Sequence, residues 1–279
     1  MRRGSFASLF WIGTLCLGAG GAAATAAETR VETLKIAGET RQYRVHLPAT
    51  GDGPYPIVFS DHGFNSNAGQ QERLSQFSAL ADREGFIAVY PEGVDEKWRF
   101  MGRSDADVLL TTAIIEKLAA ALPIDRRRIY ATGISNGAQM AWRLACDRPQ
   151  VFAAFGFVSG GYLEVCTAAV RPPIILFHGT SDRLLPYDGR GMLMPVREFT
   201  RGWAARDGCR LASEGEVICR RGDATGERWA CSSGQEVELY TLDGKGHSWP
   251  GSHMPASITS GDVDATVVMW AFFQAHPRP

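Results

Sequence analysis

Gly133-Ile134-Ser135-Asn136-Gly137 places a serine between two glycines. The strand-like Arg128-Ile129-Tyr130-Ala131-Thr132 precedes it, and the helix-like Ala138-Gln139-Met140-Ala141-Trp142-Arg143-Leu144-Ala145 follows. A sharp strand-to-helix turn has no room for side chains at its flanks, which accounts for Gly133 and Gly137, and it lifts the Ser135 hydroxyl clear of a sheet edge. The free N–H groups and positive dipole end of the following helix point at the same spot. The chemistry of such a turn is nucleophilic attack on a carbonyl. A serine hydroxyl attacks poorly until an imidazole takes its proton, and the imidazole needs a carboxylate to hold its tautomer and stabilise its charge.

Both partners follow in the order nucleophile, acid, base, which is that of an α/β-hydrolase. Asp182 closes Ile174-Ile175-Leu176-Phe177-His178-Gly179-Thr180-Ser181-Asp182, where an apolar run of buried-strand length breaks into a small-residue turn. His247 lies in the glycine-punctuated Gly244-Lys245-Gly246-His247-Ser248-Trp249-Pro250-Gly251, after the strand-like residues 237–242. The other five histidines lack this order and setting: His46 ends a hairpin strand, His276 is near the C-terminus, His253 lies in a polar loop, and His62 and His178 each end a strand before a glycine. The last two read as loop packing or site wall. An oxyanion hole needs the N–H after the nucleophile, here Asn136, and a second N–H from the loop after the third strand. The run Pro56-Ile57-Val58-Phe59-Ser60-Asp61-His62-Gly63-Phe64-Asn65 provides that loop, with Phe64 as the second donor. Trp249 is read as a substrate-binding residue on the cleft wall, with packing of the His247 loop as the alternative.

The elements that must position these residues alternate between strand and helix. Leu34 to Ile36 and Tyr43, Val45 and Leu47 give two alternating strands around Gly38-Glu39. Residues 71–82 read as one helix with Leu74, Phe77, Leu80 and Ala81 on a face, and Phe86 to Tyr90 as a strand. Ser104 is read as the cap of a helix whose apolar positions are Val108, Leu109, Ala113, Ile114, Leu118 and Leu122. Residues 151–158 and 174–177 are buried strands, and 263–274 a closing amphipathic helix. The expected fold class is therefore α/β: a mostly parallel central sheet with helices on both faces and the site at its carboxyl edge. The spread from Ser135 to His247 ties residues 27–279 into one expected catalytic domain.

Residues 1–26 read as a signal peptide: Met1-Arg2-Arg3 is a positive n-region, residues 6–17 an apolar h-region, and Ala24-Thr25-Ala26 a small-residue cleavage site, with cleavage after Ala26 or Ala27. The apolar stretch dissolves into Gly and Ala short of a membrane span, so the expectation is a secreted protein with no membrane association once the signal is removed. The formal net charge of −1 falls two units further when Arg2 and Arg3 leave, which offers no basic surface to nucleic acid. Export allows disulfides among the five remaining cysteines, Cys146, Cys166, Cys209, Cys219 and Cys231, but their pairing is not readable from spacing, and buried free thiols are the alternative. No Cys-x-x-Cys or Cys/His grouping argues for zinc.

Taken together, Thr132 to Gly137, Arg143-Leu144-Ala145-Cys146, His178-Gly179-Thr180-Ser181-Asp182, Trp203 with Asp207-Gly208-Cys209, and Gly246-His247-Ser248-Trp249-Pro250-Gly251 resemble the polyhydroxybutyrate depolymerase and feruloyl esterase family of secreted esterases. The resemblance covers nearly all of the chain after the leader. It implies an α/β-hydrolase fold, no metal or organic cofactor, Ser135, Asp182 and His247 as a triad, and the pairs Cys146 with Cys166 and Cys209 with Cys231, leaving Cys219 odd. Phe64 departs from the His-Gly-Gly-Gly pattern of many relatives, but the donor is a backbone group. The implied reaction is hydrolysis of small-molecule or polymer esters: feruloyl or acetyl esters of plant polysaccharide, or hydroxyalkanoate oligo- and polyesters. A peptidase with the same fold and triad is the close rival, and a secreted binding protein with a decayed site the distant one.

Overall fold

The computed structural model describes residues 27–49, 51–102, 104–164, 166, 172–209, 215–231 and 236–279; the expected signal peptide lies outside them. At one edge of the sheet, β1 (Glu28–Ile36) and β2 (Glu39–Leu47) pair antiparallel. Ala37 at φ 50° and Gly38 at φ 85° turn this hairpin, two successive left-handed residues that match the twist of the flanking strands.

The centre of the sheet is built from β3 (Tyr55–Asp61), β4 (Ile87–Pro91), β5 (Ile124–Ile134), β6 (Ala154–Val158), β7 (Ile174–Gly179) and β10 (Glu236–Leu242). Each of these runs parallel to its neighbours among the six. An antiparallel hairpin of β8 (Glu216–Arg221) and β9 (Ala224–Ala230) closes the far edge, giving the order β1-β2-β4-β3-β5-β6-β7-β10-β9-β8. Because strand side chains alternate between faces, the apolar runs feed two cores. Ile57, Phe59, Phe155, Phe157, Ile174 and Leu176 face one side, against α3 (Ala106–Ala121), α4 (Asn136–Asp147) and α5 (Val196–Arg206). Val58, Ala154, Val158, Ile175 and Phe177 face the other, against α1 (Ala68–Ser75), α2 (Phe77–Glu84) and α6 (Ala265–Ala275). This is the expected α/β architecture, with helices on both faces.

Four local readings change. The single helix expected over 71–82 is two, broken at Gln76, which adopts φ 54°. The Ser75 carbonyl beside the break accepts from Thr266 Oγ1, a partner 191 residues away, and the new direction sends Phe77 edge-on into Phe86 and Trp249. Asp105, not Ser104, caps α3, and its carboxylate goes to Arg143 rather than to the helix; Leu109 stays exposed. Strand β6 starts at Ala154, where pairing with Tyr130 begins, so residues 151–153 only lead into it. Helix α5 and the β8–β9 hairpin were not anticipated at all.

The disulfides form as the resemblance implies, Cys146 with Cys166 and Cys209 with Cys231, leaving Cys219 as a free, half-buried thiol. The first ties the end of α4 to the loop after β6 across a separation of 20 residues. Replacing both of its cysteines with alanine should therefore lower unfolding stability by about 3 kcal/mol through loop-closure entropy. Denaturant midpoints of the variant and the unreduced parent check this, and an unchanged midpoint means the bond stabilises nothing.

Candidate active site

The parallel strands all end at one edge, and the loops leaving that edge carry every candidate residue. Between β5 and α4, Ser135 adopts φ 56° and ψ −119°, a conformation that costs of order 1–3 kcal/mol in a non-glycine residue and persists where its surroundings over-determine it. Those surroundings are visible. Ser135 N–H donates to the Val158 carbonyl of β6 at 2.9 Å. A Cβ on Gly133 would sit 2.5 Å from the Gly137 carbonyl carbon, and one on Gly137 would sit 2.1 Å from the Asp61 carbonyl oxygen. Strand β3, the turn and α4 thus pack backbone on backbone, and only glycine fits at the two flanks.

Asp182 follows β7 and His247 follows the neighbouring strand β10. Thr180 N–H donates to the Leu242 carbonyl and Ser181 N–H to that of Lys245, so the two loops are stitched together before any side chain is considered. His247 Nδ1 lies 2.7 Å from Asp182 Oδ2. Asp182 Oδ1 accepts from the N–H groups of Leu184 at 2.9 Å and Leu185 at 3.0 Å. Burial pushes this carboxyl upward, but the bond and charge of His247, the Leu185 N–H and the nearby His178 outweigh it and hold Asp182 below the ordinary carboxylate range. An ionised carboxylate only accepts, so His247 donates from Nδ1, the tautomer that in a neutral ring leaves the Nε2 lone pair for a base's work. The His loop is tied to the serine side as well: Ser159 Oγ donates to the Ser248 carbonyl at 3.2 Å, one residue from each of Val158 and His247. The Ser135 hydroxyl itself has no hydrogen-bond partner among the described residues.

The loop after β3 is set by His62. Its Nε2 accepts from Gly93 N–H at 2.9 Å, so Nδ1 bears the proton and donates to the Gly63 carbonyl at 2.8 Å. In a trans peptide the N–H points opposite to the carbonyl, so tying the Gly63 oxygen back to His62 aims the Phe64 N–H away from the imidazole. The same loop borders the nucleophile, since a Cβ on Gly63 would lie 3.7 Å from Ser135 Cβ. The Phe64 side chain is 61% exposed. Asn136 opens α4, where its N–H has no intrahelical acceptor, and its side chain pairs with both backbone groups of Trp98, accepting from N–H at 2.7 Å and donating to the carbonyl. Trp98 Nε1 in turn donates to the His62 carbonyl at 2.8 Å. This strap, invisible in the sequence, binds the loop before α3 to Asn136 and to His62 at the head of the loop that carries Phe64. Asp61, fully buried at the end of β3, has both carboxyl oxygens unpartnered among the described residues; burial and the Asp107 charge drive its pKa well up. No role for it follows from its surroundings.

Trp249 corrects the sequence reading. It is 1% exposed, its Nε1 donates to Thr266 Oγ1 at 2.9 Å, and its ring meets Phe77 edge-to-face. The indole is sealed beneath the His247 loop and cannot wall a cleft. Its sequence position, two residues past the base, is equally compatible with either side of the loop, which is why proximity along the chain misled.

His178 is buried, and burial depresses its pKa to about 4. A histidine kept neutral in the fold but free to ionise near 6.5 when unfolded stabilises the protein fully above pH 6.5, and that contribution disappears as pH falls toward 4. The loss across this window is on the order of 3 kcal/mol. Denaturant titrations at several pH values between 7 and 4 check it; stability independent of pH over that range contradicts a buried neutral His178.

Comparison with known proteins gives the family and the fold. Residues 42–183 match the Esterase PHB depolymerase family. The protein named "Putative esterase NocK" from Nocardia uniformis subsp. tsuyamanensis is 32% identical over 266 residues, covering 82% of this chain and 76% of its own. Feruloyl esterase D of Neurospora crassa is 27% identical, covering 86% and 84%. Among solved structures, the acetyl xylan esterase from Aspergillus awamori superposes with a TM-score of 0.64 at 15% identity over 88% of this chain and 99% of that one, a likeness of fold. With this match over half its length and a relative above 30% identity, the chain belongs to the esterase PHB depolymerase family of carboxylic ester hydrolases, built on the α/β-hydrolase fold.

Proposed function

We propose that residues 27–279 act as one secreted catalytic unit, a serine esterase that cleaves carboxylic esters through an acyl-enzyme. The observation that carries this is the closed Asp182–His247 pair at 2.7 Å at the same sheet edge as a serine held at positive φ on the elbow, the two loops joined through Ser159 and Ser248. His247 Nε2 takes the Ser135 proton as Oγ attacks the ester carbonyl. The N–H groups of Asn136 and Phe64 hold the developing oxyanion, the first because α4 leaves it free and the second because His62 turns it that way. His247 then hands its proton to the departing alcohol. Water, activated by the same imidazole, attacks the acyl carbonyl and releases the acid with Ser135 restored.

The substrate class follows the named relatives: feruloyl or acetyl esters of plant polysaccharide, or hydroxyalkanoate oligo- and polyesters. The two disulfides and the expected leader support export. Among the described residues no helix is long and apolar enough to cross a membrane.

Ser135→Ala should lower ester turnover by about 10^4- to 10^6-fold, because triad members act as a unit, while leaving the fold intact. Asp182→Asn should lose roughly 10^3- to 10^4-fold through the wrong imidazole tautomer. A fluorophosphonate probe should label the parent and not Ser135→Ala. A panel of acetyl, feruloyl and 3-hydroxybutyrate esters, run beside a matched peptide, separates the rivals. Preferential peptide cleavage would sink the esterase mechanism, and a folded Ser135→Ala keeping more than about a tenth of turnover would exclude Ser135 as nucleophile.

A further inference from the structure

The acid turn is held by a second histidine. His178, on β7, is fully buried four residues before Asp182. Its Nε2 lies 2.8 Å from the Leu185 carbonyl, which can only accept, so Nε2 bears the proton. Nδ1 is then an acceptor, and Tyr162 O–H donates to it at 2.8 Å. That same Nε2–H faces Asp182 Oδ2 at 3.5 Å, the oxygen that His247 Nδ1 approaches at 2.7 Å. Leu185 closes the circuit: its carbonyl is held by His178 while its N–H donates to Asp182 Oδ1. The backbone donors to Oδ1 are therefore Leu185, which His178 anchors, and its chain neighbour Leu184, while the His178 ring itself faces Oδ2.

We propose that His178 is a positioning residue for the catalytic acid. Fixed by Tyr162 as the Nε2–H tautomer, it anchors through Leu185 the turn that presents Leu184 and Leu185 to Oδ1, and its polar N–H edge stands 3.5 Å from the Oδ2 that His247 approaches, which favours the carboxylate orientation facing the base. The groups facing the ring are the Tyr162 hydroxyl, the Tyr187 ring 5.9 Å away, Asp182 and, beyond it, His247. None of the other groups packed on the ring is a fixed cation that could take over the role of the His178 N–H edge. The burial that depresses the His178 pKa to about 4 keeps this tautomer in place through the neutral range.

The inference rests on Asp182 being the acid of the proposed esterase, and the test keeps the two apart. Michaelis parameters for 4-nitrophenyl acetate are measured for the full mature chain carrying His178→Leu or Tyr162→Phe, each alone and combined with Asp182→Asn. A misplaced carboxylate costs turnover by up to about a hundredfold with KM little changed. Because the effect runs through Asp182, the same substitutions should cost less than about twofold in the Asp182→Asn background, the non-additivity expected of groups acting through one another. Loss of a donor also concentrates negative charge on the oxygen facing His247 and favours the imidazolium, so the acid limb of kcat/KM should move to higher pH. Equal proportional losses in both backgrounds, or an unmoved acid limb, overturn the proposal. If His178→Leu does not fold, Tyr162→Phe, which keeps the ring and removes only the hydroxyl, decides by the same two readouts. A silent Asp182→Asn is a different result: it removes the acid assignment, and this inference with it.

Discussion

Everything at the carboxyl edge depends on how closely two backbones approach. The carbonyls at the end of β3 and the elbow glycines leave no space for a methyl group between them. That contact fixes the distance between the strand carrying the oxyanion loop and the helix that begins beside the nucleophile. The unfavourable φ of Ser135 is retained because relaxing it means separating β3, β5 and α4 together. The strap through Trp98, Asn136 and His62 braces the same contact from outside the sheet.

The two histidines that precede glycine are used in opposite protonation patterns. His62 carries its hydrogen on Nδ1 and steers a peptide plane; His178 carries it on Nε2 and steers a carboxylate. Each tautomer is dictated by a partner that has only one possible role, a backbone N–H for His62 and a backbone carbonyl for His178. In both, burial disfavours the charged form. Neither is a proton carrier in the proposed reaction, yet both depend on remaining neutral.

What the sequence makes legible is what local chemistry dictates. The elbow needs its glycines, and an acid and a base of the proposed kind need loops at strand ends; the elbow conformation of Ser135 and the pairing of Asp182 with His247 were readable for that reason. The disulfides came from resemblance rather than physics. Illegible features were decided at a distance. Gln76 breaks a helix because Thr266 claims the Ser75 carbonyl, and no local propensity announces that. Strand β8 reads Glu-Val-Ile-Cys-Arg-Arg, an edge strand with charge at both ends and a register irregularity near Ile218, so its alternation is too weak to see. Trp249 shows the opposite failure, in which closeness along the chain was mistaken for closeness to the reacting atoms.

The strand order also has a dynamical side. Strands β7 and β10 are adjacent, whereas β5 stands three steps from β10 across the sheet. Neighbouring strands are rotated by about 20–25° relative to one another, and any change in twist accumulates at every step. A fluctuation in twist therefore displaces the imidazole from its carboxylate by one increment but from the serine hydroxyl by three. In the proposed reaction the acid and base are thus carried on one pair of adjacent strands, and the distance most sensitive to sheet twist is the one the first proton would cross.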